Sequence, residues 1–203
     1  MKSVLITAFE PYDRWKANSS WLALVQLTQD LPSAPAITTR LYPVEFLTVR
    51  QRLEEDLKAG YDYALHVGQA PGSARIQLEA IGLNVGGSSS QSPEQFQPLV
   101  GDGPVAYRSG LPLAQWSLKL RRAGIPAQVS YHAGAYLCNA VLYLSCYLAE
   151  RTRLPTKSAF VHLPLDTSQV VSQAQDLASL PAAASATALR LILEELAHGE
   201  GVL

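Results

Sequence analysis

The chain has 203 residues, 16% of them charged, and a formal net charge of −1. That length suits one domain with a hydrophobic core of its own. The balanced charge and the lack of a basic block argue against nucleic acid as a main partner, and no polybasic or amphipathic stretch marks a membrane surface.

In chain order, the opening "MKSVLITAFEP" is apolar but broken by proline and followed by no small-residue cleavage site, so "SVLITAF" reads as a buried strand and not as a leader. After the loop "EPYDRWKA", good N-caps at Asn18 to Ser20 start a helix with Trp21, Leu24 and Val25 at helical spacing. "AITTRLYPV" is a weaker second strand. Phe46, Val49, Leu53 and Leu57 form one face of a helix that stops at Gly60. "YDYALHVGQA" is a third strand, and "ARIQLEAIGLNV" alternates as a fourth with a break. From Gly86 to Gly103 the chain is rich in serine, glutamine and proline without periodicity, which predicts a long, mobile loop over about 86–104. Leu113, Trp116 and Leu120 mark a helix closed by Gly124. The short strand "AQVSY" leads into a helix carrying Cys138, and "KSAFVHLPL" is the last strand. Leu189, Ile192, Leu193 and Leu196 line a terminal helix ending at Gly199.

Such β-α alternation with nearly continuous apolar strands predicts an α/β fold. The expected form is a three-layer α/β/α sandwich, 1–203 as a single domain, its central sheet mostly parallel with helices on both faces. Chemistry in such folds sits outside the C-terminal ends of the strands. The longest uncharged run, about Ala133 to Ala149, contains Asn139 and Ser145 and is short for a membrane span, which fits a buried helix. Cys138 and Cys146 on one helix are separated by a rise of about 12 Å, too far for a disulfide. Two unpaired thiols point to a reducing, cytoplasmic location, and without a ligand-spaced histidine pair they form no zinc site.

Cys138 is either a small apolar side chain or a nucleophile favoured by its place at a helix start. A thiol of pKa near 8.5 is only a few per cent ionised at neutral pH, so a nearby imidazole is needed. His198 suits a helix end and His66 a strand interior. His162 stands at the carboxyl end of its strand, narrowly ahead of His132 on position. For the group that orients the imidazole, Glu79, Asp62 and Asp166 stay open.

At these residues the chain resembles a known family, the pyrrolidone carboxyl peptidases or pyroglutamyl peptidases I, cysteine peptidases of family C15. The matching stretches are "VLITAFEPY", "HVGQAPG", "RIQLEAIGLN", "GIPAQVSYHAGAYLCN" and "AFVHLP", in the family's order from residue 4 to about 165. The resemblance implies a catalytic trio of Cys138, His162 and Glu79, with Phe9, Tyr12 and Gln69 around the substrate. It further implies a small peptide substrate with a blocked N-terminus, cut after the pyroglutamyl residue, no metal or organic cofactor, and a homo-oligomer. In the loop after Asn84 the sequence carries "GGSSSQSPEQ", from Gly86, without the family's arginine-bearing segment. The competing readings are therefore a relative with altered specificity and a non-catalytic α/β binding protein that keeps the trio.

Overall fold

The first strand, β1 (Ser3–Phe9), sends Val4, Ile6 and Ala8 into one apolar cluster and Leu5 and Phe9 into another. Neighbouring strand residues face opposite sides, so its unbroken apolar run requires cover on both faces. The computed structural model describes residues 1–88 and 91–198, and in it both faces are covered. After β1 come α1 (Ser19–Thr28), β2 (Ala36–Tyr42), α2 (Phe46–Leu57) and β3 (Tyr63–Gln69). Then follow β4 (Ile76–Glu79), β5 (Ile81–Leu83), β6 (Ala106–Arg108), α3 (Leu113–Arg122) and β7 (Ala127–Ser130). The chain closes with α4 (Leu137–Arg151), β8 (Lys157–Leu163), α5 (Thr167–Val170) and α6 (Ala182–His198).

The six-stranded sheet runs β2-β1-β3-β8-β4-β7. β2, β1, β3 and β8 are mutually parallel. β4 lies antiparallel to β8, and β7 parallel to β4, so one edge of a mostly parallel sheet is reversed. Apolar residues of α1, α3 and α6 cover one face, and those of α2 and α4 the other. This is the α/β/α sandwich expected from the sequence. Among the described residues no helix is long and apolar enough to cross a membrane.

Three local differences have physical reasons. α1 starts behind Asn18, whose side chain accepts from the Ser20 N–H. Its buried stripe is Ser20, Ala23, Leu24 and Leu27, while Trp21 and Val25 sit on the exposed flank. The alternating run "IQLEAIGL" is two strands, not one. The chain leaves the main sheet at Ala80, and β5 pairs with β6 in a separate ribbon. The serine-rich segment is tied at its base. Gly86 and Gln97 form an antiparallel bridge, and Asn84 Nδ2 donates to the Val100 carbonyl at 2.7 Å while its Oδ1 accepts from the Val100 N–H at 3.0 Å. A short 3-10 turn at Pro93–Gln95 lies between these ties. Residues 89–90 of this loop and the expected stop at Gly199 lie outside the described residues.

Candidate active site

The reversed edge of the sheet brings two of the predicted residues together. In the antiparallel register Glu79 stands opposite Phe160 and Gln77 opposite His162. Side chains two apart on a strand share a face, so Glu79 and His162 are diagonal neighbours on one face, within reach of long side chains. His162 Nδ1 donates to Glu79 Oε1 at 2.7 Å. The carboxylate is fully buried, and its other oxygen, Oε2, has no hydrogen-bond partner.

With Nδ1 engaged, Nε2 is the ring nitrogen left for the sulfur. Cys138 is the second residue of α4. It can approach the sheet because β3 carries glycine beneath it: a Cβ at Gly68 would stand 2.6 Å from Phe160 Cζ and 3.1 Å from Cys138 Sγ. Burial works against a charged His162, but it is outweighed by the charge of Cys138, by a hydrogen bond from that side chain, and by Glu79. The imidazole is raised to about 10. No side chain caps α4, and its first helical bond runs from the Ala140 N–H to the Tyr136 carbonyl at 3.0 Å. The N–H groups of Leu137, Cys138 and Asn139 therefore have no helical acceptor, as helix starts require.

Beside the sulfur lies a small cavity of about 50 Å³, whose lining includes Phe9, Tyr12, Gln69, Tyr136, Leu137 and Cys138. Phe9 ends β1 and packs edge-on against Tyr42, the ring centroids 6.4 Å apart. The Tyr12 hydroxyl reaches the Gln69 carbonyl at 3.5 Å, and burial, with the charge of Cys138 behind it, raises that phenol to about 12. Tyr136 and Leu137 were not singled out from the sequence, although both precede Cys138 in "GAYLCN". Asn139, the next residue, is fully buried: Nδ2 donates to the Leu83 and Val85 carbonyls, and Oδ1 accepts from the Leu83 N–H. It ties the start of α4 to β5.

The other candidates lie elsewhere. His132 is exposed, and its Nδ1 accepts from the Gly134 N–H at 3.0 Å. His198 Nδ1 lies 2.7 Å from the Glu194 carbonyl, one turn back on α6. His66 is buried against Thr7 Oγ1 at 2.8 Å, and burial drives it down to about 3, so it is neutral. Asp62 pairs with Lys2 at 2.8 Å, and Asp166 caps α5. Both cysteines are free. Burial pushes Cys146 up to about 12, against a hydrogen bond from Ser158. Among the described residues no group of three or more His, Cys, Asp or Glu side chains could hold a metal ion.

A cysteine at a helix start, an imidazole beside it and a carboxylate behind the imidazole are the parts a thiol hydrolase needs. The family model described as pyroglutamyl peptidase matches residues 2–198. The chain is 35% identical to a pyrrolidone-carboxylate peptidase of Clavibacter michiganensis, covering 84% of this chain and 82% of that one. It is 30% identical to the pyrrolidone-carboxylate peptidase of Staphylococcus aureus over 97% of this chain and 94% of that one. The crystal structure of pyrrolidone carboxyl peptidase from Fervidobacterium islandicum AW-1 superposes with a TM-score of 0.91 at 34% identity, covering 97% and 98% of the two chains. The chain belongs to the pyroglutamyl peptidase family of cysteine peptidases.

Proposed function

We propose that this chain removes the N-terminal pyroglutamyl residue from small blocked peptides, with Cys138 as nucleophile, His162 as general base and acid, and Glu79 as the group that orients the imidazole. The observation that carries this reading is the buried hydrogen bond between His162 and Glu79 beside a cysteine in the first turn of α4. His162 Nε2 has taken the thiol proton before the attack, as its raised basicity favours, and Cys138 Sγ then attacks the carbonyl carbon of the amide after the lactam. The oxyanion that develops is stabilised by the free N–H groups at the start of α4. The imidazolium then protonates the leaving amine as the C–N bond breaks, which leaves a thioester on Cys138. Water hydrolyses that ester, giving one proton to His162, which returns it to the sulfur.

The lactam is neutral and has no free amine, so its pocket needs apolar walls and a few hydrogen bonds, not a charged anchor. Phe9, Tyr12 and Gln69 supply those groups. Homo-oligomeric assembly is proposed on the family resemblance, and a cytoplasmic location fits the two unpaired thiols. The test is release of aminocoumarin from a pyroglutamyl-coumarin amide, offered beside amides of unblocked amino acids. The wild type releases dye from the pyroglutamyl substrate alone, and Cys138→Ala releases none. Turnover by Cys138→Ala, or none by the wild type, sinks the reading.

A further inference from the structure

Gln69 has only 4% of its surface exposed, and one end of its amide is fully used while the other is not. Oε1 accepts from the Ser19 N–H at 2.8 Å and from Gln169 Nε2 at 2.8 Å, whereas Nε2 makes no full hydrogen bond and the Gln69 side chain acts only weakly as a donor on the Tyr12 phenol, which also lines the cavity. The oxygen and nitrogen of an amide are alike in shape, so orientation must be fixed by the groups they meet. Here backbone groups of fixed polarity decide it. The Ser19 N–H can only donate, so it faces an oxygen. Gln169 is oriented by the same logic: its Oε1 accepts from the Asp166 N–H at 2.8 Å, and its Nε2 donates to the Ala17 carbonyl at 2.9 Å. What Gln169 turns toward Gln69 is therefore a donor. A reversed Gln69 amide would set N–H against N–H at both contacts.

The residue so oriented lines the cavity beside Cys138. A buried donor left unpaired is destabilising, and it persists here because two donors hold the opposite end of the amide. We propose that Gln169 is a positioning residue, which fixes the Gln69 amide so that its unused N–H faces the cavity and donates to the lactam carbonyl of the substrate. This rests on the peptidase reading above. It makes the pocket selective for an acceptor at that place, and the control lies on α5, a helix outside the cavity.

The experiment is steady-state kinetics on the pyroglutamyl-coumarin amide for Gln69→Leu, Gln169→Leu, Gln169→Glu and the double variant Gln69→Leu/Gln169→Leu. The rate of Cys138 alkylation by iodoacetamide reports on the reaction centre. Gln169→Glu keeps the oxygen that accepts from Asp166 but cannot donate to Gln69. Loss of one neutral hydrogen bond to the substrate is expected to raise KM about tenfold in each single variant, with kcat and the alkylation rate little changed. The double variant is expected to be no worse than Gln69→Leu, because Gln169 acts only through Gln69. Losses that multiply in the double variant overturn the proposal, as does a wild-type KM in Gln169→Glu or a fall in alkylation rate in either Gln169 variant. A wild type that alkylates but leaves the pyroglutamyl substrate uncut overturns the peptidase reading and this one with it. A wild type that cuts it, with Gln169 variants of unchanged KM, overturns this one alone.

Discussion

At the scale of single residues, the buried His162, held between the Cys138 sulfur and Glu79, sets how the site is expected to respond to pH. Burial alone would make His162 a weak base. Instead the sulfur and the carboxylate hold it protonated up to about 10. In the proposed mechanism the leaving amine takes that proton, so kcat/KM is expected to fall as pH rises through about 10. Replacing Glu79 by Gln removes one of the groups that raise the imidazole and leaves the ring without a charge to orient it. The alkaline limb should then move to lower pH, and kcat should drop by about 100-fold or more. The pH dependence of kcat/KM for both proteins checks this. An alkaline limb that stays in place in Glu79→Gln would remove the carboxylate from the proton's control.

At the scale of elements, the site depends on how closely α4 lies on β5. A Cβ at Gly82 would stand 2.7 Å from the Tyr143 backbone nitrogen and 2.9 Å from its Cα, and helix backbone cannot swing aside as a side chain can. Asn139 fastens the first turn of the same helix to Leu83 and Val85. Gly82→Ala should therefore lift α4 off the ribbon, with an expected stability loss of about 1–3 kcal/mol. Cys138 should move with it, so kcat falls as well. Urea unfolding paired with turnover measures both; an unchanged urea midpoint would show that the helix can yield. Little of this contact was legible in the sequence. The strands holding His162 and Phe9 were readable because apolar runs covered on both faces leave a strong signal. The position of His162 at a strand's carboxyl end followed from the same pattern. That Glu79 reaches His162 depends on β4 running against β8, and strand direction leaves no trace in periodicity. The break at Ala80 was visible only as an imperfection in an alternating run. α5, which carries Gln169, is a single turn, Thr167–Val170, with no buried residue, so it had no apolar stripe to give it away.

At the scale of the whole molecule, the same sheet buries a second histidine with the opposite sign. His66 lies on β3, pairs with Thr7 and is driven down to about 3 by burial, while its Nε2 has no partner. In the unfolded chain an imidazole takes a proton near pH 6.5. Between 6.5 and 3 the unfolded state thus binds a proton that the folded state refuses, and stability falls as pH falls. Carboxylates held low by their partners, Asp62 beside Lys2 and Glu45 and Glu94 on their hydrogen bonds, give a slope of the same sign, but only around and below their ordinary values of 3.8 and 4.5. His162 acts elsewhere: its folded value lies above the unfolded one, so its contribution is complete below about 6.5 and is lost toward 10. Within the interval from about pH 4.5 to 6.5 His66 is therefore the main source of slope, overlapped by the glutamates at its lower edge and by His162 at its upper edge, and one refused proton gives a slope of about 1.4 kcal/mol per pH unit at most. His66→Asn keeps a polar atom for the Thr7 hydroxyl and cannot titrate, so its unfolding free energy should lose that slope. Denaturant unfolding across those two pH units, in Cys138→Ala and in the same background with His66→Asn, separates this from any change at the sulfur. Equal slopes in the two proteins would mean that His66 already accepts its proton in the folded state, and that the sheet is wetter at β3 than its burial requires.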